Sequence, residues 1–242
     1  HVPVRGEQLR LVKMATTNAA EGLAQKTERT GREVAALDEL ARLLGLVDTP
    51  TYIEAYDISN YGAQTMVGGM VVFENGRALK SAYRKFNIKT LDGPDDYASM
   101  REVITRRLLR YQEEKDTGQG FGRLPDLILL DGGKGHVSAI APILEEMNLP
   151  IPLFGMVKDD KHRTRAIAHD GGETAILSNR SAFTLVSKIQ DEVHRFSITH
   201  MKQKHSNNAF SLKITEAHGI CQNSAAALIR FFKTQIALGV AL

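Results

Sequence analysis

A single cysteine, Cys221, excludes an internal disulfide framework from this 242-residue chain. No apolar run approaches the ~20 residues of a membrane span, and no charged-then-apolar signal segment opens the sequence. The expectation is therefore a soluble, cytoplasmic protein with no membrane partner. The phosphate-binding loop G-x-x-x-x-G-K-[ST] is missing as well, which sets aside nucleotide binding of that kind. Excess charge is also scarce: 31 Lys and Arg against 28 Asp and Glu give +3, too little by itself to require a nucleic-acid partner. Its distribution says more, because Arg195 to Lys213 holds Arg195, Lys202, Lys204 and Lys213 and no acid. Such a run is either a solvated face or a surface for phosphates. With 43% hydrophobic residues, the chain can build a substantial core in one large domain, or in one medium domain with an appendage.

The first 46 residues read as helical. Leu11, Ala15, Ala19 and Leu23 recur every fourth residue, and Val34, Leu37, Leu40, Ala41 and Leu44 continue the stripe to a glycine C-cap at Gly45. The polar stretch around Gly31 is where this helix would bend or pause. Residues 1–47 are expected to form a helical scaffold packed on the sheet.

Thr51 to Ser59 alternates as a strand does, with Ile53, Ala55 and Asp57 on one face and Tyr52, Glu54 and Tyr56 on the other. Asp57 continues an apolar face, so its charge must be paired, protonated or bound to a cation. Met66 to Glu74 and Ala78 to Ile88 read as a hairpin around Asn75-Gly76, since both central residues of a type I′ turn need positive φ. Gly68 and Gly69 within it mark a bulge or a close backbone approach. Pro94, Asp95 and Asp96 then open a helix, where acids are ordinary caps. Tyr97, Met100, Ile104, Leu108 and Tyr111 form its inner stripe, and Arg101, Arg106, Arg107 and Arg110 fall on the remaining surface.

The most pointed stretch is LPDLILLDGGKGH, from Leu124 to His136. A short run apolar on both faces suits a central strand, which puts Asp131 at its carboxyl end, where open α/β sheets place their ligands. Gly132 and Gly133 let backbone approach closely, and Lys134 adds a positive charge. A strand ending in an Asx turn is the plainer alternative. A helix from Val137 to Met147, a strand from Pro152 to Val157, a charged loop from Lys158 to Arg165 and a hairpin around Asp170-Gly171-Gly172 follow. A long helix from Ser181 to about Lys202 buries Leu185, Ile189, Val193 and Phe196, and carries Gln190, Asp191 and His194 on an adjoining polar edge. Three meandering strands, then helix, strand, helix and strand, is an α/β order suited to a ribonuclease H-like mixed sheet flanked by helices.

YDISN, VVFENG, YRKFNI, GPDDYASMREVITRR, PDLILLDGGKG and IQDEVHRFSITHMKQK, together with the opening HVPVRGEQLRLVKMATTNA, make the chain resemble the C-terminal half of the UvrC family. That family belongs to the excinuclease of bacterial nucleotide excision repair. The resemblance implies a metal-dependent endonuclease domain over residues 48–208 that incises damaged double-stranded DNA on the 5′ side of a lesion. It implies Asp57, Asp131 and His194 as catalytic residues and ligands of Mg²⁺ or Mn²⁺, with Asp96 a further aspartate of the same incision. Hard oxygen ligands suit either ion, and a histidine can serve as a ligand or move a proton. Two carboxylates and a histidine would hold one ion firmly. Asp191 is a candidate to orient the imidazole, and Lys134, Arg101, Lys202 and Lys204 are candidates to contact DNA phosphates. The family's other nuclease domain and the separate short domain for its partner UvrB are not in this sequence, so a fragment is expected. Residues 209–242 depart from the family's tandem helix-hairpin-helix motifs. They keep Gly219, but Cys221, Gln222, Asn223 and Ser224 stand where a second glycine and basic residues would be, so a degenerate helical appendage with weakened DNA binding is expected.

Overall fold

The computed structural model describes residues 6–61, 65–88, 95–118, 120–159 and 163–215. The chain opens with α1 (Gly6–Leu44), one uninterrupted helix. The expected pause at Gly31 does not occur. A helical glycine costs only about 1 kcal/mol, and the pairs Glu28–Arg32 and Arg29–Glu33 bridge the turn around it. Only the end of α1 enters the core, through Ala36, Leu37 and Leu40, whereas Leu11 is 56% and Leu23 67% exposed. The first half of the expected stripe is thus unpacked. Gly45, at φ +66°, ends the helix as anticipated.

Next come β1 (Tyr52–Tyr61) and β2 (Thr65–Glu74), paired antiparallel. At the turn, Asn75 and Gly76 take φ of 50° and 75°, as type I′ geometry requires. The returning segment is two short strands, β3 (Arg77–Ala78) and β4 (Arg84–Asn87), separated by a 3₁₀ turn at Lys80–Ala82, and both pair with β2. Gly68 and Gly69 make no bulge. They stay in register with Ile58 and Asp57, and they serve close approach, because a Cβ at Gly68 would collide with Val103 and one at Gly69 with Ser197.

Helix α2 (Asp96–Glu114) is capped by Asp95, whose carboxylate accepts from the Ala98 amide at 3.0 Å. Beyond it lie β5 (Leu127–Asp131), α3 (Lys134–Glu146), β6 (Leu153–Lys158), β7 (Thr164–His169), β8 (Gly172–Ala175) and α4 (Arg180–Thr215). α4 runs past the expected end near Lys202. The sheet order is β3-β2-β1-β5-β6-β7-β8 with β4 also on β2; β1, β5 and β6 are mutually parallel and the other pairings antiparallel. Strand β5 is therefore central, as its apolar run indicated.

The alternation of the strands divides the interior in two. Ile53, Ala55, Leu127 and Leu129 face α1 and α4, while Tyr56, Ile128 and Leu130 face α2 and α3. Arg107 corrects the reading of α2 as having an arginine-covered outer surface. It is 1% exposed, inside the second core, and bonded to the equally buried Glu54. No helix among the described residues is long and apolar enough to cross a membrane. The degenerate hairpin expected around Gly219 and Cys221 lies outside the described residues.

Candidate metal centre

Parallel pairing of β1 with β5 runs to Tyr56 and Leu130, so the residues that follow lie side by side: Asp131 ends β5, and Asp57 sits in the middle of β1, which continues to Tyr61. Both continue the face that α4 covers, after Ala55 and Leu129. α4 lies against β1 and β2 and carries His194 to the same place. Its Nδ1 is 3.6 Å from Asp57 Oδ2 and 3.8 Å from Asp131 Oδ2. One donor atom from each of the three lies within 4.8 Å of the others. They open into a cavity of about 320 Å³ that Asp96, His136 and Lys158 also line.

The electrostatics of this cluster are unbalanced. Burial, and next the Asp131 carboxylate, push the Asp57 carboxyl up to about 6, with the His194 ring acting against them. The Ser59 hydroxyl donates to Asp57 Oδ2 at a long 3.2 Å. Asp131 is better served: Lys158 Nζ donates to Oδ2 at 2.7 Å and Gln190 Nε2 to Oδ1 at 2.8 Å. His194 is half exposed and open to the cavity. Two crowded carboxylates and an imidazole, brought together at one place, are a donor set that suits a divalent cation.

The other sequence candidates fall at varying distances from this point. Asp96, at the start of α2, lines the cavity and accepts from Asn60 Nδ2 at 2.7 Å, but it is not one of the three converging donors. Asp191 is exposed, and among the described residues no hydrogen bond joins it to His194. The neighbouring Gln190 is the inward polar side chain. Lys134 is exposed on the first turn of α3, and the cation beside Asp131 is Lys158 instead. Arg101 is exposed on α2, while Lys202 and Lys204 belong to α4 with side chains outside those described.

Sequence reading passed over Lys158, Gln190 and His136. Lys158 ends the buried strand next to β5 just as Asp131 ends β5, but in sequence it opens the charged run expected as loop. His136, whose pKa burial lowers, packs its ring 4.7 Å from that of Tyr97 on the cavity's α2 side.

Residues 41–198 match the family described as UvrC RNAse H endonuclease domain. The UvrABC system protein C of Thermoanaerobacter sp. (strain X514) is 46% identical over 246 residues, covering 96% of this chain and 39% of its own length. That of Acetivibrio thermocellus is 43% identical over 247 residues, covering 96% of this chain and 40% of its own length. The chain thus spans about two fifths of the length of these relatives. Among solved structures, human ENDOV is similar with a TM-score of 0.40 and 12% identity, over 71% of this chain and 98% of that one.

Proposed function

The chain belongs to the UvrC family and carries its ribonuclease H-like endonuclease domain, and on that premise we propose a Mg²⁺- or Mn²⁺-dependent incision of damaged double-stranded DNA. The bond hydrolysed is a phosphodiester on the 5′ side of a lesion, within a longer protein that works with UvrB. The observation that carries this reading is the convergence of Asp57, Asp131 and His194 within 4.8 Å, where the parallel pairing of β1 and β5 stops and α4 crosses it.

Asp57 and Asp131 each offer an oxygen to the ion, and His194 a nitrogen. When bound, the ion supplies activation of the attacking water and neutralisation of charge developing on the phosphate. The half-exposed His194 ring is also able to exchange a proton with the reacting groups. Asp96, held by Asn60 at the cavity wall, is suited to orient water or sugar near the scissile phosphate. Lys158 places an ammonium where a second cation would otherwise balance Asp131, which favours a single firmly held ion. Calorimetric titration with Mn²⁺ is expected to show one tight site, and two would refute this point. Lys134, exposed on the first turn of α3, and Arg101, exposed on α2, offer contacts to flanking phosphates, and Lys202 and Lys204 of α4 are further candidates for such contacts.

The direct test is nicking of a lesion- or bubble-containing duplex in Mn²⁺ with UvrB present. Removing a ligand by Asp131→Ala should lower the rate by about 100-fold or more, since outer contacts alone cost 10- to 100-fold. Nicking that persists unchanged in the variant sinks the assignment.

A further inference from the structure

One turn before His194, Gln190 is buried at 1% exposure, and every part of its amide is engaged. Nε2 donates to Asp131 Oδ1 at 2.8 Å and to the Met156 carbonyl at 2.8 Å, while Oε1 accepts from the Thr164 hydroxyl at 2.6 Å. An amide has a donor end and an acceptor end. Reversed, this one would set its oxygen against the carboxylate and the carbonyl, two groups that only accept. Asp131 and Met156 therefore key its orientation, with Thr164 completing the lock. The consequence falls on Asp131: Oδ1 is held by the amide, and Oδ2 is the oxygen near His194 and Lys158.

Resting on the metal-site reading above, we propose that Gln190 is a positioning residue that restricts Asp131 to one-oxygen ligation and thereby selects small octahedral cations over Ca²⁺. Ca²⁺ takes six to eight oxygens and readily accepts both oxygens of one carboxylate, whereas Mg²⁺ demands near-ideal octahedral geometry at shorter distances. A carboxylate with one oxygen tied back serves the second ion and handicaps the first. Gln190 also links α4 to β6 and β7 through Met156 and Thr164. A purely structural link of that kind would weaken both ions alike.

The experiment measures Mn²⁺ binding to the whole chain from the Mn²⁺ electron-spin signal, with Mg²⁺ and Ca²⁺ as competitors, so no activity is needed. Gln190→Leu keeps the approximate bulk and the net charge, and thermal unfolding in metal-free buffer checks its fold. Mg²⁺ competition should weaken by about 10- to 100-fold, the usual cost of losing an outer contact to a ligand. Ca²⁺ should hold or improve, so that the Mg²⁺-to-Ca²⁺ preference falls by about tenfold or more. Equal weakening of both ions, or no change in either, overturns the proposal. Thr164→Val removes only one edge of the lock, and it decides the matter should Gln190→Leu not fold. It is expected to shift the preference in the same direction by a smaller factor, and an unchanged preference counts against the proposal. A wild-type chain that binds none of the three ions removes the metal site itself, a failure distinct from a site that binds without this selectivity.

Discussion

Strand β1 buries two carboxylates on opposite faces, and the fold treats them in opposite ways. Glu54, toward α2, is surrounded by donors: Arg107 reaches it through Nε at 3.1 Å and Nη2 at 2.7 Å, and the Tyr56 hydroxyl donates as well. Two further N–H groups of the guanidinium end on the carbonyls of Phe121, at 2.9 Å, and Arg123, at 2.5 Å. Glu54 thus has its counter-charge built into the fold. Asp57, toward α4, has only serine hydroxyls, a half-exposed imidazole and a second carboxylate close by. A buried acid with its partner built in belongs to the architecture, whereas one with a neighbour of its own sign awaits a cation from outside.

Three substitutions test that contrast. The largest stability effect is expected for Arg107→Met, which strands Glu54 without a counter-charge. Urea unfolding should show a loss of about 3–5 kcal/mol, most of it recovered in the Glu54→Leu/Arg107→Met double variant. A loss below about 1 kcal/mol would mean that Glu54 is not held as described.

Asp57→Asn should act in the reverse sense on the metal-free chain. The folded carboxyl sits at about 6 against an ordinary 3.8, so the folded state holds its proton more tightly than the unfolded one. Stability from this group is therefore present below about pH 4, lost as pH climbs through about 6, and absent above. The asparagine variant should be more stable than the parent at pH 7.5, by on the order of 1–3 kcal/mol, and level with it below pH 4. It should also lose tight Mn²⁺ binding. If it is less stable than the parent at pH 7.5, the two acids are alike after all. Tyr56→Phe sharpens the comparison from the other side, since one donor among several should cost only about 1 kcal/mol by thermal unfolding and leave Mn²⁺ affinity untouched.

Much of this was legible in the residues. The period-2 alternation of β1, the Asn75-Gly76 turn and the run Leu127 to Leu130 are local signals, and each forms the element it implied. Asp57, Asp131 and His194 were findable because each stands where an apolar pattern ends or meets a polar edge. Partnerships between distant segments leave no such trace. Arg107 falls on the inner face of α2, seven residues after Met100, but its charge reads as surface, and only the tertiary approach of Glu54 on β1 gives it a place inside. Lys158 opens a run of charges and reads as loop, although it is the last residue of a buried strand. Gln190 and Asp191 share one polar edge in sequence, and the small rotation that turns one inward and the other out is set by how α4 seats on the sheet.

That seating depends on an atom the chain does not have. Gly69 stands across the ladder from Asp57 and directly beneath Ser197 of α4, and a Cβ there would meet the serine. The helix carrying His194 can therefore rest close to the strand without displacing the Ser197 side chain, as it would have to with any larger residue at position 69. The reach of an imidazole to two carboxylates is calibrated by a methyl group's absence one strand away. In that sense the site has a shim of zero thickness, and its tolerance is set by a residue with no chemistry to contribute.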